Sequence, residues 1–197
     1  MRPLSFLFLV TVGAARAGAQ WHVAALAGNA AAHGDARNDT DPAHPEFHAD
    51  RPATIAIALA RDAGAWRMSV EVRRSSADLS EVGNSAVVVS TRGAFDAWGA
   101  GVELGHRLAG RLPGPTLHAV VGGGADRWRL EQSPARWRPS MRGAMEADLP
   151  LGKRWFAVLR GEATMGPSVF TAEELPEGFA QRRMWRTGVV LGVARGW

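Results

Sequence analysis

From residue 20 onward the chain alternates apolar and polar side chains with period two, the signature of strands and not of helices. The clearest stretch is Trp66-Arg67-Met68-Ser69-Val70-Glu71-Val72-Arg73, with Trp, Met and two Val on one face and Arg, Ser, Glu and Arg on the other. Residues 53–61 set Ile55, Ile57 and Leu59 against Thr54, Ala56, Ala58 and Ala60. Residues 141–151 set Met141, Gly143, Met145, Ala147 and Leu149 against Arg142, Ala144, Glu146 and Asp148. Residues 155–165 set Trp155, Ala157, Leu159 and Ala163 against Phe156, Val158, Arg160 and Glu162. Four noisier strands cover 21–31, 95–107, 117–128 and 184–197; Gly122-Gly123-Gly124 in the third of these predicts a bulge. Eight strands make an even set, as a single-chain bacterial barrel needs.

The charged face cannot be the outside of such a barrel. A soluble barrel hides its apolar side chains; here the apolar face is regular enough to meet lipid, and the charged face then lines the lumen. No segment after residue 20 is apolar for long enough to cross a bilayer as a helix. The spacing of the strands predicts short links at 62–65, 111–115 and 151–153, alternating with long polar links at 33–51, 74–93, 130–139 and 168–183. Short and long alternation is the pattern of periplasmic turns opposite extracellular loops.

The N-terminus reads as a secretory signal: Met1-Arg2, the apolar run from Leu4 to Val10, then two small-residue frames, Ala15-Arg16-Ala17 and Ala17-Gly18-Ala19. Cutting after Ala19 divides the chain into a signal peptide, 1–19, and one barrel domain, 20–197. The absence of Cys excludes disulfides, thiolate metal sites and a lipidated Cys. Of 23 basic residues 22 are Arg, scattered among acids, which argues against nucleic acid as a partner.

The eight Trp residues divide into two bands. Trp21, Trp66, Trp155 and Trp197 fall where strands meet the short-turn side, and Trp98, Trp128, Trp137 and Trp185 fall toward the long loops. Indoles favour membrane–water boundaries, so both bands are expected to be interface girdles. Trp185 and Trp197 are 12 residues apart, which at a tilt near 40° spans roughly 30 Å.

The last strand ends in Trp197, preceded at alternate positions by Arg195, Val193, Leu191 and Val189. A terminal aromatic behind alternating apolar residues resembles the assembly signal of outer-membrane barrels. With the export signal and eight strands, the chain resembles the small OmpA-transmembrane and OmpX-like barrels over the whole of 20–197. That resemblance implies an all-β, up-and-down, eight-stranded antiparallel transmembrane barrel in the Gram-negative outer membrane. It implies outer-membrane lipid and the barrel-assembly machinery as partners, with Trp197, Val193, Leu191 and Val189 as the assembly signal. Arg195 stands where the family favours Tyr or another hydrophobic residue, and from there it can snorkel to headgroups.

By parity the lumen receives Arg67, Glu71, Arg73, Glu103, Arg107, Arg142, Glu146, Asp148, Arg160, Glu162 and Arg186. An eight-stranded lumen is only wide enough for side chains, so these charges are expected to pair as a structural plug, since an unpartnered buried charge is costly. Counting back from 151–153, Arg142 should lie opposite Glu162, with Glu146 diagonal to Arg160.

The first long loop holds His33, His44 and His48 among four Asp and one Glu, but its spacing matches no EF-hand and its prolines break helical alignment. It is read as a solvated loop, with no metal and no cofactor. Ser69, Ser140, His106 and His118 fall on opposite rims or unrelated strands, so no nucleophile–base pair is expected. The expectation is a non-enzymatic barrel with a structural, adhesion or surface-interaction role and an unknown surface ligand. The alternatives are a barrel enzyme acting on lipid A or phospholipid, and a narrow small-solute channel.

Overall fold

The computed structural model describes residues 20–41, 45–83, 86–111, 114–130 and 133–197, with backbone alone over 81–83 and 86–92. The expected signal segment, 1–19, and His44 lie outside the described residues. Eight long strands carry the fold: β1 (Gln20–His33), β2 (Glu46–Ala63), β3 (Trp66–Gly83), β4 (Ala86–Gly110), β5 (Thr116–Leu130), β6 (Arg136–Pro150), β7 (Trp155–Gly166) and β8 (Met184–Gly196). Each pairs antiparallel with its sequence neighbours, and β1 pairs with both β2 and β8, so the sheet closes on itself. Closure removes the free edges that an open sheet would expose. Trp197 N–H donates to the Trp21 carbonyl at 3.0 Å, extending the seam past the last strand residue.

The wall is inverted relative to a soluble barrel. Ile55, Ile57, Met68, Val70, Val102, Val121 and Leu191 stand outward, each more than half exposed, while Arg67, Glu71, Arg160 and Arg186 on the opposite parity are buried. No helix among the described residues is long and apolar enough to cross a membrane.

Several expected boundaries move. Residues 74–93, read as a loop, mostly continue the β3–β4 ladder, because neither Arg74-Ser75-Ser76 nor Val87-Val88-Val89 alternates apolar with polar residues, so hydrophobic periodicity misses a backbone that still pairs. The β6–β7 link is Leu151–Arg154, closed by Leu151 N–H to the Trp155 carbonyl at 2.8 Å. Residues 151–155 separate the partners Pro150 and Phe156, two more than expected, so Arg142 lies opposite Thr164 and Glu146 directly opposite Arg160, two residues from the expected register. The triglycine carries no bulge: pairing runs unbroken through Gly122, Gly123 and Gly124 on both sides. Irregularities fall instead at Asp50/Ala53, beside Pro52, at Ala77/Leu79 and Glu81/Val82, and at Arg107/Ala109.

Candidate functional site

The lumen side chains stack as three tiers of ion pairs. At the short-turn end, Arg67 donates Nε to Asp62 at 2.7 Å and Nη1 to Glu146 at 2.7 Å, and its Nη2 forms an ion pair with Asp148 at 2.8 Å. His22 from β1 completes this tier, its Nε2 2.8 Å from the second Asp62 oxygen. In the middle, Arg160 grips both Glu103 oxygens at 2.5 and 2.8 Å and also meets Glu146 at 3.4 Å and Glu162 at 3.1 Å. Arg142 reaches Glu71 at 2.5 Å, Glu103 at 2.9 Å and Glu162 at 3.8 Å. Above them Arg73 and Arg186 converge on Asp126 at 2.9 and 3.0 Å.

Small residues make room for these long side chains. A Cβ at Gly99 would stand 2.0 Å from Asp126 Oδ1 and 3.2 Å from Arg73 Nε, and one at Gly122 would stand 2.7 Å from Glu103 Cγ. Opposite the charged strands lies an apolar patch of Leu26, Ala56, Phe156, Val158, Val190 and Ala194. A cavity of about 30 Å³ remains between the two, lined by Leu26, Phe156, Arg67, Glu103 and Arg160 among others; it has room for a water or two.

One expected lumen assignment changes. Arg107 does not join the network. It lies at the rim beside the Arg107/Ala109 irregularity, where its Nη2 donates to the Gly64 carbonyl at 2.9 Å. Asp62, Asp126, His22 and His118 are buried members that were not anticipated. Asp62 had been read as turn, whereas β2 runs on to Ala63; Asp126 shares the parity of Gly122 and Gly124, where the glycines blur the pattern.

Trp128 is likewise no girdle residue. It points inward, 1% exposed, edge-to-face with Phe95 and under the Arg186 guanidinium at 5.1 Å. Its outward neighbours on β5 are Arg127 and Arg129, so strand parity assigns the indole to the interior. There it anchors an apolar cap over the ion pairs, together with Leu130, Val169, Phe170 and Met184. The other seven Trp stand outward, from 38% exposed at Trp21 to 63% at Trp137. Three are stacked by Arg: Arg61 on Trp21, Arg74 on Trp98 and Arg195 on Trp155, all near 5.6 Å.

The cap is held by the β7–β8 connection, residues 167–183. Asp35, fully buried with φ 78°, accepts a hydrogen bond from Val169 N–H at 2.9 Å, and its carbonyl accepts one from Arg182 N–H at 2.8 Å. Burial pushes the Asp35 carboxyl up to about 7, against the opposing pull of Val169 N–H, Arg186 and Ser168; Glu46 adds to the upward shift. Arg136 clamps Glu174 through both guanidinium nitrogens at 2.5 Å and holds that carboxyl down at about 2.

Among the described residues no Ser oxygen bonds a His. Ser69 donates to Glu103 at 3.3 Å, Ser140 accepts from Arg73 at 3.4 Å, and Ser75 pairs with Thr54 at 2.9 Å. His106 packs on Trp66, outside the barrel. Among the described residues the first loop gathers no metal-type cluster; His33 and His48 are 6.2 Å apart between ring centroids. One such cluster forms inside, His118, Glu146 and Asp148, where Arg67 already occupies both carboxylates.

No protein-family model matches the chain, and no curated protein matches it. Solved structures do. The outer-membrane protein OprG of Pseudomonas aeruginosa aligns with TM-score 0.59 at 8% identity over 92% of this chain and 97% of its own. Neisserial surface protein A aligns with TM-score 0.55 at 11% identity, over 90% and 98%. Ail, the attachment invasion locus protein of Yersinia pestis solved with a heparin analogue, aligns with TM-score 0.52 at 8% identity, over 91% and 99%. At such identities the likeness is one of fold, and the fold of this chain is that of the small eight-stranded outer-membrane barrels.

Proposed function

We propose that this protein is an exported outer-membrane β-barrel without a catalytic centre, which serves the cell surface through the elements at its long-loop end. The inverted wall carries this reading: an apolar belt outside and ion pairs inside is the arrangement that lipid, and not water, stabilises. Seven outward Trp residues at the two ends of the belt serve as interface girdles in this reading. Val189, Leu191, Val193 and Trp197, all outward on β8, would supply the assembly signal. Residues 1–19 would be removed on export. The fold shared with Ail, an attachment invasion protein, supports a surface-contact role.

The lumen acts as a plug. Three tiers of paired charge and an apolar cap leave only small voids, and side chains fill a barrel of this size. Expression in a Gram-negative host tests the membrane reading. The protein should fractionate with outer membranes, begin at Gln20, and migrate differently before and after boiling. Recovery from the soluble periplasm with no heat-dependent shift would sink it. Incubation with lipid A or phospholipid should leave both unchanged in mass; a modified lipid would promote the enzyme reading.

A further inference from the structure

The outer face of β5 breaks the apolar belt in an ordered way. Read downward, its outward residues are Arg129, Arg127, Ala125, Gly123 and Val121, two cations above two small residues. Register places Arg127 directly between Trp98 on β4 and Trp137 on β6, both more than half exposed. Neighbouring strands are about 4.8 Å apart, so Arg127 stands on the outer wall between two positions that carry exposed indoles. One strand further along the same row, Arg74 stacks on Trp98 and is bonded to Asp96 at 2.9 Å. Arg127 has only aromatic direct cross-strand partners; Arg129 stands about 7 Å above it on the same face, opposite Asp96, the carboxylate that Arg74 already holds.

Below this row the wall is shallow. Ala100, Ala125 and Pro139 are cross-strand partners, and Gly123 lies next below between Val102 and Met141. The row also sits at the right depth. Arg74 lies eight residues from Trp66 on β3, roughly 20 Å along the membrane normal for a strand tilted near 40°.

We propose that this face is a docking site for a phosphorylated glycolipid of the outer leaflet, of the lipid A type. Arg127 and Arg129 would take its phosphate, Trp98 and Trp137 would flank its sugar, and the Ala125–Gly123 trough would receive an acyl chain. Guanidinium groups match phosphate with paired, charge-assisted hydrogen bonds. The acyl trough directly beneath commits the site to a lipid phosphate over a free one. The proposal rests on the outer-membrane reading above.

The test reconstitutes the wild-type protein in phosphatidylcholine vesicles with a minor fraction of bis-phosphorylated lipid A, then counts the lipid A retained after detergent extraction and gel filtration. Insertion is scored first by the heat-dependent gel shift in vesicles lacking lipid A. Wild type should retain lipid A stoichiometrically. The double variant Arg127→Gln/Arg129→Gln should insert normally but retain at least about five-fold less, as loss of two charged phosphate contacts implies. Arg111→Gln, at the opposite rim, should behave as wild type. Dephosphorylated lipid A should be retained no better by wild type than by the double variant. Equal retention by wild type and double variant, or no dependence on the phosphates, overturns the site while the membrane reading stands. Failure of the wild type to insert overturns the membrane reading and the site with it.

Discussion

Arg160 on β7 and Glu103 on β4 reach across the lumen and meet through two hydrogen bonds, at 2.5 and 2.8 Å, joining strands on opposite walls of the barrel. Arg142 shares the same carboxylate, so Glu103 is the hub of the middle tier. Removing one member of a buried pair leaves the other charge without compensation, which costs far more than the pair itself contributes.

Glu103→Ala should therefore lower unfolding stability by about 3 kcal/mol, whereas Glu103→Met combined with Arg160→Met should cost less than the single change. Urea titration of the folded protein in detergent, followed by tryptophan fluorescence, measures both. A double variant less stable than the single would contradict a network built on charge compensation.

Gly99 lies where Asp126 and Arg73 crowd the wall of β4. Asp126 is held by Arg73 and Arg186 together, so it has little freedom to retreat. Gly99→Ala should destabilise the barrel by about 1–3 kcal/mol, the range for overpacking a filled interior. Gly143→Ala, whose Cβ meets nothing within 4 Å, is the control and should be near neutral. Equal unfolding midpoints for the two variants would argue against the tight tier at Asp126.

The cap should respond to pH through Asp35. Its folded pKa, about 7, lies above the ordinary 3.8, so docking of residues 167–183 takes up a proton. That contribution is complete below about pH 4 and is lost as pH rises through 7, up to about 4 kcal/mol in all. Hydrogen exchange at Val169 and Phe170 should accelerate between pH 5 and 8 beyond its intrinsic pH dependence. Asp35→Asn, which keeps an acceptor for Val169 N–H and tolerates a positive φ, should abolish the excess. An excess that survives the substitution assigns the effect elsewhere.

Tiers of paired charge under an apolar cap should not pass ions. Planar bilayers containing the wild-type protein should show no steady ohmic conductance at neutral pH. Reproducible channels of a size implying a water-filled lumen would promote the channel reading.

Parity is a local property of a strand, and for that reason it was legible. The alternation from Trp66 to Arg73 already separates Met68, Val70 and Val72 outside from Arg67, Glu71 and Arg73 inside, and eight such segments with alternating links define a closed barrel. Partnership is not local. Which carboxylate meets Arg67 depends on barrel closure bringing β2, β3 and β6 to one level, and the β6–β7 register turned on two extra residues between Pro150 and its partner. Tertiary structure also decided what sequence periodicity could not see: the β3–β4 ladder beyond Arg74, whose residues do not alternate, and the cap in which Trp128, Phe170 and Asp35 are buried together. Those contacts join segments far apart in the chain, and only the folded geometry of the barrel mouth brings them within reach.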